Sequence, residues 1–255
     1  SHMSARRDDG TGLIDIDPWL QPWENALRQR SARYRARLRD LESITGSLES
    51  FALGHRFYGL NRGTHKGESG LWYREWAPGA EHLSLVGDFN GWDRNAHPMQ
   101  RDTWGVWSIF LPDGAPQPPH NSRLKVHIRA GHHQHDRIPA YIPRVSFNPD
   151  GSHAAGVHWE PPEPYAWRHA TPPLVEFPRI YEAHVGMSSR EEKISTFTEF
   201  ARDILPRIRD AGYDCIQLMA VAEHPYYASF GYHVSNFFAV SSRFGTPDEL
   251  KALID

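Results

Sequence analysis

Cysteine is almost missing from this sequence. The single Cys215 can form no internal disulfide, which excludes the stapled secreted scaffolds and fits a reducing compartment. Long apolar runs are missing too: none approaches the roughly 20 residues needed to cross a bilayer. Ser1-His2-Met3 reads as a cloning scar with no secretory apolar region behind it. Positive charge is not in excess, since 28 Lys plus Arg stand against 31 Asp plus Glu and the formal net charge is -3. A sequence-independent grip on a polyanion is therefore excluded, and with it nucleic acid as a principal partner. Gly59-Leu-Asn-Arg-Gly and Gly87-Asp-Phe-Asn-Gly read as turns, and neither carries the lysine of a phosphate-binding loop. The expectation is a soluble, cytoplasmic protein with no membrane or nucleotide partner.

What is present is proline, glycine and aromatic side chains: 20 Pro, 20 Gly, 9 Trp, 10 Tyr and 12 Phe in 255 residues. That length suits one large or two modest domains at roughly 150 residues each. Proline gathers at 112–119 and 161–173 and punctuates the chain into pieces. So many tryptophans imply either a dense core or exposed platforms, because an indole matches the apolar C–H face of a sugar and keeps one polar handle.

The pieces differ in period. Residues 4–12 are charged and contain glycine, and disorder is expected there. Over 22–48, Trp23, Leu27, Tyr34, Leu38 and Leu41 recur at helical spacing with arginines between them, which predicts an amphipathic helix with a basic outer face. That face is either solvated surface or a binding site. From Phe51 the period becomes two. Strands are predicted at 71–76, 82–89, 104–111 and 122–129, with Asn90-Gly91 as a hairpin signal. Such spacing predicts an antiparallel β-sandwich of about 100 residues, ended by the proline-rich run near Trp159.

Beyond Pro178 the pattern becomes strand, helix, strand, helix. Residues 179–185 and 215–220 read as strands, the second apolar as a parallel strand covered on both faces would be. Thr196 with Glu199, and Thr246-Pro-Asp-Glu, are helix-opening capping boxes, Gly212 is a helix-ending glycine, and Pro206 predicts a kink or restart near Leu205. This is the grammar of a (β/α)8 barrel, which takes about 250 residues, so a truncated barrel start is expected. The expected divisions are 1–50 for the scar and helical segment, 51–165 for the sandwich, and 166–255 for linker and barrel start.

Several strings carry a family resemblance. Gly70-Leu-Trp-Tyr-Arg-Glu-Trp-Ala-Pro-Gly-Ala and Gly87-Asp-Phe-Asn-Gly-Trp resemble the Ig-like sandwich of the family 48 carbohydrate-binding modules. Ile180-Tyr-Glu-Ala-His-Val-Gly-Met-Ser-Ser, Glu223-His-Pro-Tyr-Tyr-Ala-Ser-Phe-Gly-Tyr-His-Val and Ser242-Arg-Phe-Gly-Thr-Pro are similar to the eukaryotic-type 1,4-α-glucan branching enzymes of the α-amylase superfamily, and Asp17-Pro-Trp-Leu fits their N-terminal segment. The resemblance implies glycogen biosynthesis by a retaining double displacement, with an α-glucan such as glycogen or amylose as partner and neither metal nor other cofactor. The family's catalytic carboxylate motifs are absent, so no catalytic residue is expected in this chain, and Glu182, Asp214 and Glu223 are not nominated.

By the same resemblance Tyr232 is the tyrosine that stacks under the sugar at the cleavage point. Trp92 and Lys125 are the sugar-binding pair of the module, and Trp104 is a neighbouring aromatic. Trp107, Trp72 and Trp76 are expected in the core. Weak glucan binding is expected to centre on Trp92. No tryptophan stands near Gly131-His-His-Gln-His-Asp, where relatives carry a second platform. His132, His133, His135 and Asp136 there fit a metal site or, more simply, a polar hairpin tip. Two rival readings are a standalone glycogen-binding or regulatory module and a debranching hydrolase. The string from Tyr226 to His233 argues against the hydrolase.

Overall fold

The computed structural model describes residues 9–255. The scar and the disorder expected at 4–8 lie outside the described residues. Contacts divide the chain into two units, Ser1–Phe57 and Tyr58–Asp255. Among the described residues no helix is long and apolar enough to cross a membrane.

In the first unit the disorder expected at residues 9–12 gives way to local order. Asp9 Oδ1 accepts the Thr11 N–H at 3.0 Å and the Thr11 hydroxyl at 2.6 Å, its Oδ2 pairs with Arg28, and α1 (Gly12–Ile16) starts at once. The long amphipathic helix forms as α2 (Glu24–Thr45), ended by Gly46 at φ 92, and α3 (Leu48–Ala52) follows. None of their side chains is fully buried.

The second unit opens as a β-sandwich. One sheet contains β1 (Gly59–His65), β2 (Glu68–Trp76), β5 (Val106–Pro112) and β4 (Gln100–Arg101) in the order β1-β2-β5-β4. The other runs β3 (His82–Gly87), β6 (Arg123–Ala130), β9 (Ala155–Val157) and β8 (Val145–Ser146), with β7 (His133–Arg137) also on β6. Leu71, Tyr73, Trp107 and Leu111 of the first sheet meet Leu83, Leu85, Leu124 and Val126 of the second in one buried core. Each fully buried leucine there contributes roughly 1.5–3 kcal/mol.

Two turn expectations are corrected. Gly59-Leu-Asn-Arg-Gly is part of β1, and Gly63 is there because a Cβ would lie 3.0 Å from the Trp72 indole, which covers that strand. Asn90-Gly91 forms no tight two-residue hairpin loop; the Asn90 side chain holds a turn that precedes a later antiparallel return. Its Oδ1 accepts the Gly87 N–H, and its Nδ2 donates to the Leu85 oxygen. The chain then passes to residues 97–99, which run beside β3.

Residues 179–255 form β10 (Ile180–His184) and β11 (Cys215–Met219), paired in parallel. Between them α4 (Phe197–Glu199), capped by Thr196, leads through a π-helical stretch at Phe200–Ile204 into α5 (Leu205–Asp210). The widened stretch lies just ahead of Pro206, whose missing N–H cannot continue a regular ladder, and so realises the expected irregularity. β11 is only partly covered, with Cys215 exposed, because β10 is its single strand neighbour among the described residues. A short antiparallel pair, β12 (Ala222–Glu223) and β13 (Asn236–Val240), precedes α6 (Pro247–Ile254). Phe197, Phe200 and Phe244 centre a second core. The segment is docked on the sandwich by the Tyr141–Phe238 ring stack, with centroids 4.5 Å apart, and by a 3.1 Å bond from Trp159 Nε1 to Asp248 Oδ1.

Candidate functional site

Trp92 is held at the end of β3 by the turn that Asn90 braces. Gly91 and Trp92 both take the left-handed conformation, at φ 64 and 61, and the Trp92 N–H bonds the Gly87 oxygen at 2.9 Å. Its indole N–H donates to Asp88 Oδ1 at 2.9 Å, while Asp88 Oδ2 accepts the Arg123 N–H at 3.0 Å. The ring plane is thus fixed against β6 with 37% of the residue exposed. Lys125 is half-buried on β6 opposite Val86 and lies two residues along from Arg123, so it shares that strand face. Trp92 and Lys125 therefore come to the same end of the second sheet.

Asp136 on β7 braces this end. Arg94 donates to it at 2.8 Å and His127 at 2.7 Å. Burial alone would raise the Asp136 carboxyl, but the hydrogen bonds from Arg94 and His127 outweigh it and hold the group below the ordinary carboxylate range. Of the histidines near the hairpin tip, His133 and His135 lie on one strand face with rings 6.2 Å apart. Among the described residues no group of three or more His, Cys, Asp or Glu side chains could hold a metal ion.

Trp104 is elsewhere. It stands in the turn between β4 and β5, where Asp102 Oδ1 accepts both the Trp104 and Val106 N–H groups, and it is 81% exposed. Gly105, at φ 81, lets this turn lie on Pro78, because a Cβ there would meet the Pro78 Cα at 2.6 Å. Its neighbour is Trp76, whose Nε1 donates to the Trp104 carbonyl at 3.1 Å and which is itself 61% exposed. That turn lies beside the connection entering β3, whereas Trp92 follows the last residue of β3. The length of the strand, about 17 Å, separates them. The structure therefore places Trp92 and Lys125 at one end of the second sheet and bonds Trp76 to Trp104 at another turn, as two platforms.

This corrects the expectation that Trp72 and Trp76 are core. Leu71, Tyr73 and Glu75 are the buried set of β2, so period-two geometry sends Trp72, Arg74 and Trp76 to the other face. Trp72 is half-buried there with the Arg74 guanidinium 4.1 Å over its ring. Trp107 is buried, with its indole N–H on the Ala77 oxygen at 2.9 Å. The charged Arg74 between the two tryptophans was the available signal that their face is the outer one.

Tyr232, 60% exposed, lies on the loop between β12 and β13, away from both tryptophan platforms in sequence. Ser229 organises its turn. The Ser229 oxygen accepts the Tyr232 N–H at 3.1 Å, and the Ser229 hydroxyl accepts the Gly231 and His233 N–H groups. The nearby Glu223 is fully buried, and its two carboxylate oxygens accept the His224 and Ser242 N–H groups. Burial pushes its carboxyl above the ordinary range despite those bonds. Its two oxygens tie the residue just after β12 to the segment just after β13, which is a structural role.

Residues 58–142 match the family described as Carbohydrate-binding module 48 (Isoamylase N-terminal domain). The 1,4-alpha-glucan-branching enzyme of Dictyostelium discoideum is 45% identical over 98% of this chain and 37% of its own length. That of Solanum tuberosum is 47% identical over 98% of this chain and 29% of its own length. Among solved structures, the pullulanase from Bacillus acidopullulyticus superposes with a TM-score of 0.60 at 19% identity, over 77% of this chain and 27% of that one. A pullulanase type I from Bacillus subtilis does so at 0.58 and 18%, over 77% and 30%. At that identity the pullulanases speak to the fold alone. By sequence the chain is similar over 98% of its length to the Dictyostelium 1,4-alpha-glucan-branching enzyme, of which it spans 37%, and it carries a carbohydrate-binding module 48.

Proposed function

We propose that this chain is the N-terminal portion of an enzyme that cleaves α-1,4 glucan chains and transfers them to a glucan 6-hydroxyl, forming α-1,6 branches. In this reading the sandwich retains the polysaccharide, residues 179–255 begin a (β/α)8 catalytic barrel, and Tyr232 lies under a sugar at the loop end of that barrel, where such active sites are built. The chemistry is a retaining double displacement, in which a carboxylate attacks the anomeric carbon and an acid protonates the leaving oxygen. Both of those groups belong to segments other than this one. The proposed substrate is a glycogen-type α-glucan, and the proposed compartment is the cytoplasm, which suits an unpaired Cys215.

The observation that carries the reading is the extent of the similarity. It runs at 45% identity over 98% of the chain, through the sandwich and on into the strand-helix segment. A standalone binding module would need to match over the sandwich only. The two tryptophan platforms, Trp92 with Lys125 and Trp104 with Trp76, support the glucan part. If a sugar ring covers about 100 Å2 of an exposed indole, the contact is worth roughly 2.5 kcal/mol before ordering costs. One such contact gives millimolar affinity or weaker, and repeated sugars on a polymer raise its effect.

Incubating the chain with amylose, followed by iodine staining and linkage analysis, tests the assignment of the catalytic groups to other segments. The long-chain colour is expected to persist. Its loss together with new α-1,6 linkages would refute that assignment.

A further inference from the structure

The turn that presents Tyr232 uses backbone conformations its residues do not favour. Phe230 is left-handed at φ 56, rare for a bulky side chain, and Gly231 follows at φ 88. A Cβ on Gly231 would meet the Ala220 Cβ at 2.7 Å, and Ala220, just after β11, is itself left-handed at φ 50. Such conformations persist only where the surroundings hold them. Ser229 supplies part of that hold from within the turn, but its bonds leave the Phe230 carbonyl to another donor.

That donor comes from β10. His184, the last residue of the strand and 46 positions earlier in the chain, places Nε2 at 2.8 Å from the Phe230 oxygen. A carbonyl can only accept, so Nε2 carries a proton, and Nδ1 is buried without a hydrogen-bond partner. The imidazole stands edge-on to Phe244 with centroids 5.8 Å apart. Gly186 permits this packing, since a Cβ there would lie 2.5 Å from the Phe244 ring. The string His184-Val185-Gly186 is thereby accounted for: Val185 fills the core, Gly186 admits Phe244, and Phe244 steadies the histidine.

We propose that His184 is a positioning residue for the Tyr232 turn, its Nε2–H fixing the Phe230 carbonyl and so setting the direction in which Tyr232 is presented. The first strand of the β/α segment thus orients the loop that follows the second. The inference rests on the reading above that Tyr232 stacks on a sugar, and His184 itself touches none.

The test compares the chain carrying His184, His184→Gln and His184→Met by NMR amide exchange at Gly231, Tyr232 and His233, whose N–H groups bond within the turn. Gln returns an N–H donor near the position of Nε2 and Met fills the space without one. Exchange at these amides is expected to quicken about tenfold in the Met variant, with β2 and β6 unchanged, and to stay near the original rate in the Gln variant. An unchanged rate in the Met variant would overturn the proposal. Equal acceleration in both variants would do the same, since ring packing and not the donor would then hold the turn. Loss of protection throughout Tyr58–Asp255 in the Met variant would also overturn it, by assigning His184 to overall stability. A parallel titration with maltoheptaose, read on the Tyr232 ring protons, keeps the two ideas apart. Signals that do not move in the unsubstituted chain would refute sugar stacking and leave the exchange result standing.

Discussion

Trp104 and Trp107 are near neighbours in sequence and do opposite work. Trp107 faces the core on β5 with its indole N–H bonded to the Ala77 oxygen, whereas Trp104 sits in the preceding turn with most of its surface in water. Truncating the first leaves a cavity and removes one of the two hydrogen bonds to the Ala77 oxygen, which also accepts the Ala80 N–H; truncating the second does neither. Trp107→Ala is expected to cost about 3–5 kcal/mol, a large share of the ~5–15 kcal/mol that holds a typical domain, while Trp104→Ala should stay within about 0.5 kcal/mol of the original chain. Urea unfolding of both variants checks this. Similar losses would mean that Trp104 is packed rather than presented. Sequence reasoning placed Trp107 correctly because strand parity from Trp107 to Leu111 is clean. It misplaced Trp76 because alternation into a strand does not say which face is the inner one, and Leu71, Tyr73 and Glu75 occupy the inner face of β2.

At the scale of elements, the ties between loops and strands are carboxylates, and their charge states set the acid limit of the fold. Asp136 links β7 to β6 through His127 and to the Trp92 turn through Arg94. Its folded carboxyl lies below the ordinary 3.8, so its stabilisation is complete above that value and is lost as pH falls through the folded value. Lowering the pH from about 5 to about 3 should therefore reduce the melting midpoint of the unsubstituted chain more than that of Asp136→Asn. Parallel slopes in the two proteins would show that this tie contributes nothing. Asp255 is shifted the same way by backbone and side-chain donors from Arg168, His169 and Tyr165, so it adds to the acid loss in both proteins and cancels in the comparison. These ties were not legible beforehand. Capping boxes at Thr196 and Thr246 were, because they are local patterns of four residues. A bond such as His127 to Asp136 depends on which strands pair, and the Asn90-Gly91 string is no guide to that: the chain returns antiparallel beside β3 only at residues 97–99, while β3 pairs as a strand with β6.

At the scale of the whole molecule, sandwich and strand-helix segment share one unit, with Tyr141 stacked on Phe238 and Trp159 bonded to Asp248 across their junction. Periodicity was enough to read β2, β3, β5, β6, β10 and β11, while β1 was hidden in a string read as a turn and the short pair β12 and β13 was missed. What periodicity could not supply was the separation of Trp104 from Trp92, because that distance is the length of β3 measured through a pairing only the fold reveals. The same separation makes the glucan-binding claim testable in one measurement, electrophoretic retardation of the chain in native gels containing glycogen. Two independent weak platforms on a polymer reinforce one another by effective concentration. The unsubstituted chain should be retarded, Trp92→Ala and Trp104→Ala should each be retarded less, and the double variant, still folded by its melting midpoint, should migrate as it does without glycogen. Equal retardation of the folded double variant and the unsubstituted chain would contradict the account and place glucan binding, if any, outside both tryptophan platforms.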